Sequence, residues 1–240
     1  MGIFDKLFGN SDIKKRPWVQ YYTKEEKKIK KCNFYTYFWV FFIGSVFGFI
    51  YESILSYFQF GHIINKQELL FGPFMPVYGI GAIVFLYISN KFKSISIIFI
   101  LTTLFGSIVE YLYSFMQEYL FGVVSWDYSF TSLNINGRIA LLYSLGWGFL
   151  GIISCKFFMP YIQKFIFNYP KIQFKVTSYI LIIFMIFNIS ITSIALYRKK
   201  QRYFNVPPQN ILSKIVDKYY PDSKINSIFE NQKIVYDKVK

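Results

Sequence analysis

The chain has 240 residues, of which 54% are hydrophobic and 22% are aromatic, and its formal net charge is +14. Soluble domains ordinarily contain about 45–50% apolar residues and more charge, so this composition excludes an ordinary soluble domain. Residues 1–31 hold nine Lys and Arg residues and residues 198–240 hold ten, whereas the 166 residues between them hold eight. Basic ends around an apolar middle indicate a membrane protein in contact with anionic lipids, and no nucleic-acid partner is expected.

The first element in chain order is a basic segment at residues 1–32. Ile3, Phe4, Leu7 and Phe8 fall on one helical face of its beginning. This pattern fits a helix that lies on the membrane surface, and it fits a flexible terminus equally well.

Five apolar runs follow, each near the ~20 residues that a membrane-spanning helix needs. They extend from about Phe34 to Tyr57, Pro73 to Ser89, Ile95 to Leu120, Ile139 to Phe158 and Val176 to Tyr197. Because a backbone in hydrocarbon must satisfy its own hydrogen bonds, these runs are predicted to be helices. The predicted fold is all-α: a polytopic transmembrane helix bundle of about five spans at residues 33–197, with a basic polar tail at 198–240.

Lysine-bearing loops predict the orientation, because short cytoplasmic loops are enriched in Lys and Arg. The N-terminal segment and the loops near Lys91 and Lys164 are expected in the cytoplasm, and the loops at 58–72 and 121–138 are expected outside. A fifth span carries the tail outside, whereas the RKKQR run at 198–202 favours the cytoplasm. The sequence leaves the side of the tail open. The expected location is the cytoplasmic membrane of a bacterium.

Cofactor chemistry is limited by two cysteines, Cys32 and Cys155, and one histidine, His62. Two separated cysteines form no disulfide framework, and a single histidine excludes a His-rich metal site. The sequence has no GxxxxGK[ST] motif, so no P-loop ATP site is expected. We therefore expect no metal, no cofactor and no recognisable catalytic set.

Acids within the spans are the main functional signal, since a charge costs about 2.5–3.5 kcal/mol at the centre of a membrane helix. Glu52 and Glu110 lie in the outer halves of the first and third spans, and Glu118 lies two turns beyond Glu110. Small residues four positions apart favour close helix packing on the same faces. The predicted packing positions are Gly44, Gly48, Gly106 and Gly148. Two interpretations remain open: a ligand site or translocation path, or hydrogen-bonded struts that hold the bundle.

The stretch FGPFMPVYGIG at residues 71–81 places two prolines at the start of a helix, where their missing N–H groups cost little. It is either a tight entry into the second span or a place where free N–H groups bind an anion. Tyr78 in this stretch is expected at the level of the acids.

The stretch WDYSFTSLNINGR at residues 126–138 concentrates polar residues between two apolar runs. Aromatic residues at its start suit the membrane interface, and the asparagines and glycine favour turns. We predict an ordered cap over the bundle, pinned by Asp127 and Arg138. Arginine keeps its charge when buried, so Arg138 is predicted to pair with Glu52, Glu110, Glu118 or Asp127. The whole predicted polar site comprises Glu52, Tyr78, Glu110, Glu118, Trp126, Asp127, Tyr128, Asn134, Asn136 and Arg138.

The order FFIGSVFGFIYE, FGPFMPVYGIG, SIVEYLYSFMQEYLFG and WDYSFTSLNINGRIALLYSLGWGFLG resembles the putative ABC-transporter type IV family of CmpB-like membrane proteins, over about residues 36–155. The resemblance implies a multi-spanning bacterial permease. The family's motif positions correspond to Glu52, Glu110, Trp126, Asp127, Tyr128, Asn134, Asn136, Gly137 and Arg138. Ala140 stands where related sequences tend to have cysteine, which disfavours a cysteine role there.

Three functions are compatible with these observations. The first is a permease component or small transporter that binds a polar or amphiphilic solute. The second is an intramembrane enzyme for a lipid-linked substrate, with a glutamate as general base and Arg138 as phosphate clamp. The third is a non-catalytic assembly or sensor protein. Expected partners are membrane lipids, a second copy of the chain and, in an ABC system, a separate ATPase subunit.

Overall fold

A computed structural model of the protein describes residues 32–168 and 171–236. The helices are α1 (Phe34–Phe60), α2 (Pro76–Lys91), α3 (Ile95–Phe121), α4 (Leu141–Ile153), α5 (Met159–Asn168), α6 (Lys171–Tyr203), α7 (Ile211–Tyr219) and α8 (Asp222–Ile228), with a π-helical segment (Ser154–Phe158) between α4 and α5. The short strands are β1 (Val123–Val124), β2 (Asn134–Ile135), β3 (Ile139–Ala140) and β4 (Lys233–Ile234). The predicted surface segment at residues 1–32 lies outside the described residues, apart from Cys32.

Four helices in the described part of the chain are long and apolar enough to cross a membrane: α1, α3, α4 continued through α5, and α6. This confirms the predicted helical membrane bundle. The predicted second span differs, because α2 has 16 residues. At ~1.5 Å per residue it extends about 24 Å, which is shorter than the ~30 Å hydrocarbon core.

Residues 61–75, which we call the entry segment, lead into α2 without helical structure. The N–H of Phe71 donates to Oδ1 of Asn188 (3.1 Å), near the midpoint of α6. The N–H of Met75 donates to the carbonyl of Ser45 in α1 (3.0 Å). Non-helical backbone is tolerated at membrane depth where protein groups satisfy it. These bonds hold residues 68–75 against α1 and α6, and α2 is short because it begins only at Pro76.

Close helix packing occurs at the four glycines that the sequence singled out. A Cβ atom would collide with Ala82 at Gly44, with Tyr78 at Gly48, with Trp147 at Gly106 and with Phe99 at Gly148. The first two glycines bring α1 against α2, and the other two bring α3 against α4. Because the helices approach closely at these glycines, the side chains of Tyr78 and Trp147 point into the space between the α1–α2 pair and the α3–α4 pair.

The C-terminal tail folds back onto the bundle. Strand β4 pairs antiparallel with β1, so that Ile234 lies opposite Val123. The tail therefore lies at the same end of the bundle as residues 61–75 and 122–140, which we call the loop end. The opposite end, with Lys91 and Lys93 between α2 and α3, is called the lysine end.

The RKKQR run forms the last turns of α6 at the loop end. Arg198, which is 2% exposed, pairs with Asp217 of α7 at 2.7 Å. Arg202 pairs with Asp217 and with Asp222 of α8. The hydrogen bond from Arg198 lowers the pKa of the Asp217 carboxyl below its ordinary value. Ion pairs within the chain thus compensate Arg198 and Arg202. The Lys and Arg content of this run alone would assign it to the cytoplasm.

Candidate functional site

A cavity of about 310 Å³ opens between α1, α2, α3 and α4 in the half of the bundle nearer the loop end. Both intramembrane glutamates predicted from the sequence, Glu52 and Glu110, line it. The start of α2 forms part of its wall, and Asn231 of the tail lies at its edge. The tail and the non-helical entry segment therefore both contribute to a space that the spanning helices enclose.

Glu110 of α3 is held by two neutral donors. The Tyr128 hydroxyl donates to Oε1 at 2.8 Å, and the Trp147 indole Nε1 donates to Oε2 at 2.9 Å. The residue is 5% exposed. No lysine or arginine among the described residues pairs with it.

Glu52 of α1 has a different environment. It accepts a short hydrogen bond from the Tyr78 hydroxyl, and it forms an ion pair with Lys66 Nζ at 2.9 Å. Lys66 belongs to the non-helical entry segment. Glu52 is therefore compensated by a cation of the same chain, whereas Glu110 has no such cation among the residues that the structure describes.

The stretch at residues 126–138, which we call the WDYS loop, positions Tyr128 on Glu110. The N–H of Tyr128 donates to the carbonyl of Gly137 (2.8 Å), and its ring stacks on Tyr143 with centroids 4.1 Å apart. Gly137 has a φ of 68°, a left-handed conformation that glycine adopts readily. The neighbouring turn is closed by Asn134, whose Oδ1 accepts from the Gly137 N–H at 3.0 Å.

The predicted pairing of Arg138 with an acid is found at Glu118, where Nη1 and Oε2 are 2.7 Å apart. The guanidinium carbon also lies 5.6 Å from the ring centre of Tyr111 and 5.5 Å from that of Phe115. The backbone carbonyl of Arg138 accepts from the Trp126 indole at 2.9 Å. Arg138 therefore ties the loop to α3.

Half of the predicted polar site lines the cavity. Those residues are Glu52, Tyr78, Glu110, Trp126 and Tyr128. The other five lie away from the described lining: Glu118, Asp127, Asn134, Asn136 and Arg138. Asp127 accepts from the Ser129 N–H at 3.0 Å, and Asn136 donates to the Tyr111 hydroxyl at 2.9 Å. This second group shapes and fastens the loop.

Sequence reasoning missed several lining residues, including Lys66, Tyr143, Trp147 and Asn231. Trp147 carried a signal, because a tryptophan N–H within an apolar span needs an acceptor and few were available. Lys66 was visible as the one basic residue of its loop. Asn231 gave no signal, since its position depends on the pairing of β4 with β1.

A second buried acid, Glu68 of the segment before α2, lies near the start of that helix. It is 3% exposed, and its carboxyl group faces the Val77 N–H and the hydroxyls of Tyr113 and Ser125 without full hydrogen-bond geometry. The helix start that could have bound an external anion thus faces a carboxyl group of its own chain. Within residues 32–168 and 171–236, no group of three or more His, Cys, Asp or Glu residues could hold a metal ion.

Comparison with known proteins gives one match. The family described as putative ABC-transporter type IV matches residues 39–193, about two thirds of the chain, which include most of α1, all of α2 to α5 and most of α6. No curated protein and no solved structure matches the chain. The matched region contains both cavity glutamates and the complete WDYS loop. The chain therefore belongs to the putative ABC-transporter type IV family.

Proposed function

We propose that the protein is a permease-type membrane transport component that binds a small polar or amphiphilic solute in the cavity between α1 and α4. The observation that carries this proposal is Glu110, a nearly buried carboxylate that faces a cavity inside an apolar bundle. Charged groups within membrane helices are expensive and ordinarily serve ligands or ions. A strut would not need an open volume beside it.

The entry segment supports the same proposal. Transporters often place their sites where a spanning segment is interrupted, because the freed backbone and helix ends lie at membrane depth. Here Met75 and Val77, on either side of the start of α2, line the cavity. If the protein serves an ABC system, a separate subunit supplies ATP hydrolysis, since the chain has no P-loop.

The lysine end is proposed to face the cytoplasm. It carries Lys91, Lys93, Lys156 and Lys164, and no acid among the described residues. A single cysteine at exposed Ser132, with Cys32 and Cys155 replaced by serine, should react with an impermeant maleimide on intact cells. Reaction after permeabilisation alone would reverse the orientation and place the cavity on the cytoplasmic side.

An enzyme acting on lipid-linked substrates is less well supported. That alternative assigns the phosphate clamp to Arg138, which is engaged by Glu118 and does not line the cavity. A docking or sensor protein with a free tail is also less well supported, because the tail is fastened to the bundle through Arg198 and β4.

Gly146 offers a direct test of solute binding. It lines the cavity, and a Cβ added there meets nothing within 4 Å. Gly146→Leu should fill the cavity without a backbone clash, and leucine also favours the helix. Purified protein in nanodiscs would be incubated with a small-molecule extract of the expressing cells, and retained solutes identified by mass spectrometry.

At least one solute retained by the wild type should be lost in Gly146→Leu. The matched control is Ser190→Leu, which adds the same side chain at an exposed position of α6. This control should retain the solute. Identical retention by the wild type and Gly146→Leu would refute the proposed function.

A further inference from the structure

The two glutamates that line the cavity have different partners. Glu52 is paired with Lys66 at 2.9 Å. Glu110 receives hydrogen bonds from Tyr128 and Trp147, which are neutral donors. Removing a carboxylate from water without a cationic partner costs several kcal/mol, and hydrogen bonds repay part of that cost. Glu110 therefore has no counter-charge from the described part of the chain.

The remaining walls are aromatic. Tyr78 and Trp147 have ring centres 5.2 Å apart, and Tyr128 and Tyr143 stack at 4.1 Å. Trp126 also lines the cavity. Aromatic faces attract ammonium groups through their quadrupole, and desolvation strengthens this attraction. Aromatic walls around a single carboxylate match the chemistry that recognises an organic ammonium ion.

We propose that the solute is a small organic cation, an amine or quaternary ammonium compound, whose charge is balanced by Glu110 and whose alkyl groups contact the aromatic walls. This inference rests on the proposed function, because it names the substrate class of the same cavity. The volume of about 310 Å³ is at the lower end of known ligand pockets, so the cation is small. Lys66 serves as an internal cation that occupies Glu52 and leaves Glu110 for the solute.

The test uses three cationic probes, methylammonium, choline and tetraethylammonium, and the uncharged carbon isostere of choline, 3,3-dimethylbutan-1-ol. Each is titrated against the full chain in detergent, and the rise in melting temperature gives an apparent Kd. At least one cation should bind, and choline should bind more tightly than its isostere. Equal stabilisation by choline and the isostere, or no stabilisation by any of the three cations, would overturn the inference.

Two variants with opposite expected effects make the test independent of folding failure. Glu110→Gln should weaken binding of the cation by about tenfold or more, as expected for loss of a charged partner. Lys66→Gln should strengthen it, because the substitution removes a positive charge from the cavity wall and leaves Glu52 without its cationic partner. For an anionic solute, Glu110→Gln would strengthen binding and Lys66→Gln would weaken it. That result would overturn the inference.

The two proposals fail separately. If Gly146→Leu loses a retained solute while the probes show no preference for charge, the cavity binds a solute of another class. If Gly146→Leu loses none, the cavity binds no solute and the proposed function fails as well.

Discussion

Helix α3 carries two glutamates two turns apart that have opposite surroundings. Glu118 is paired with Arg138 at 2.7 Å and lies away from the described lining of the cavity. Glu110 lies in the cavity wall and receives hydrogen bonds from neutral groups. On one helix, the charge of Glu118 is thus compensated by an arginine of the same chain, whereas Glu110 remains available to another partner.

The difference separates charges that hold the fold from charges that are available to a ligand. A paired acid contributes to stability, and its loss strands its partner. An acid without a cationic partner costs stability until something binds it. The following predictions test whether this division is correct.

The largest effect is expected at the paired position. Arg138→Ala should lower the free energy of unfolding by about 3–5 kcal/mol, because it strands Glu118 and frees the loop from α3. Arg138→Lys should recover part of this loss, since lysine keeps the charge but lacks the planar fork. The measurement is thermal unfolding in detergent. An unchanged melting temperature for Arg138→Ala would show that the pair contributes little and would break the comparison.

The two glutamates should respond in opposite directions to the same substitution. Glu118→Gln should lower the melting temperature of the ligand-free protein, with solute retention per folded molecule unchanged. Glu110→Gln should leave the melting temperature equal or higher, because it removes an uncompensated buried charge, and should abolish retention. If Glu110→Gln destabilises the fold as much as Glu118→Gln and retention persists, Glu110 is a structural strut.

The smallest effect is expected in the tail, where Asp217 is partly exposed and Arg198 keeps hydrogen bonds to the Gln201 side chain and the Val206 carbonyl when Asp217 is changed. Arg198 lowers the pKa of Asp217, so the contribution of Asp217 to stability is fully present above the ordinary carboxyl pKa and is lost as the pH falls through the lowered value. Limited proteolysis of the tail should therefore accelerate at the acid end of the pH range. Asp217→Asn should show the faster cleavage at neutral pH and little further change on acidification.

Four of the five predicted spans are helices long enough to cross a membrane, and these could be predicted from sequence because length and continuous hydrophobicity determine them locally. Glu52 and Glu110 could be predicted as well, since each shares a helix face with small residues. The cavity could not be predicted, because two long-range contacts form it. Residues 61–75 enter between the helices, and the Asn231 side chain of the tail donates to the Ser125 carbonyl at 3.1 Å. These contacts join distant parts of the chain and leave no periodic signal.

Arg138 shows how position can mislead. Its predicted place at the outer edge of the bundle, beside four acids, led us to expect both an ion pair and a role in the site. The ion pair exists, but the side chain lies between the rings of Tyr111 and Phe115 on another face of α3. Sequence position predicted that Arg138 lies near the C-terminal part of α3 and could not predict its direction around the helix.

The hydrogen bonds that hold the entry segment have a consequence for biosynthesis. Leu70 and Phe71 bond to Thr192 and Asn188, which follow them by 122 and 117 positions in the chain. At about 5–20 residues per second, the ribosome needs roughly 6–24 s to make that stretch. During this interval the segment before α2 lacks its final partners, and α2 alone is too short to span the bilayer. The residues before α6 are therefore inserted in the membrane before Leu70 and Phe71 have their hydrogen-bond partners. The synthesis of α6 supplies these partners.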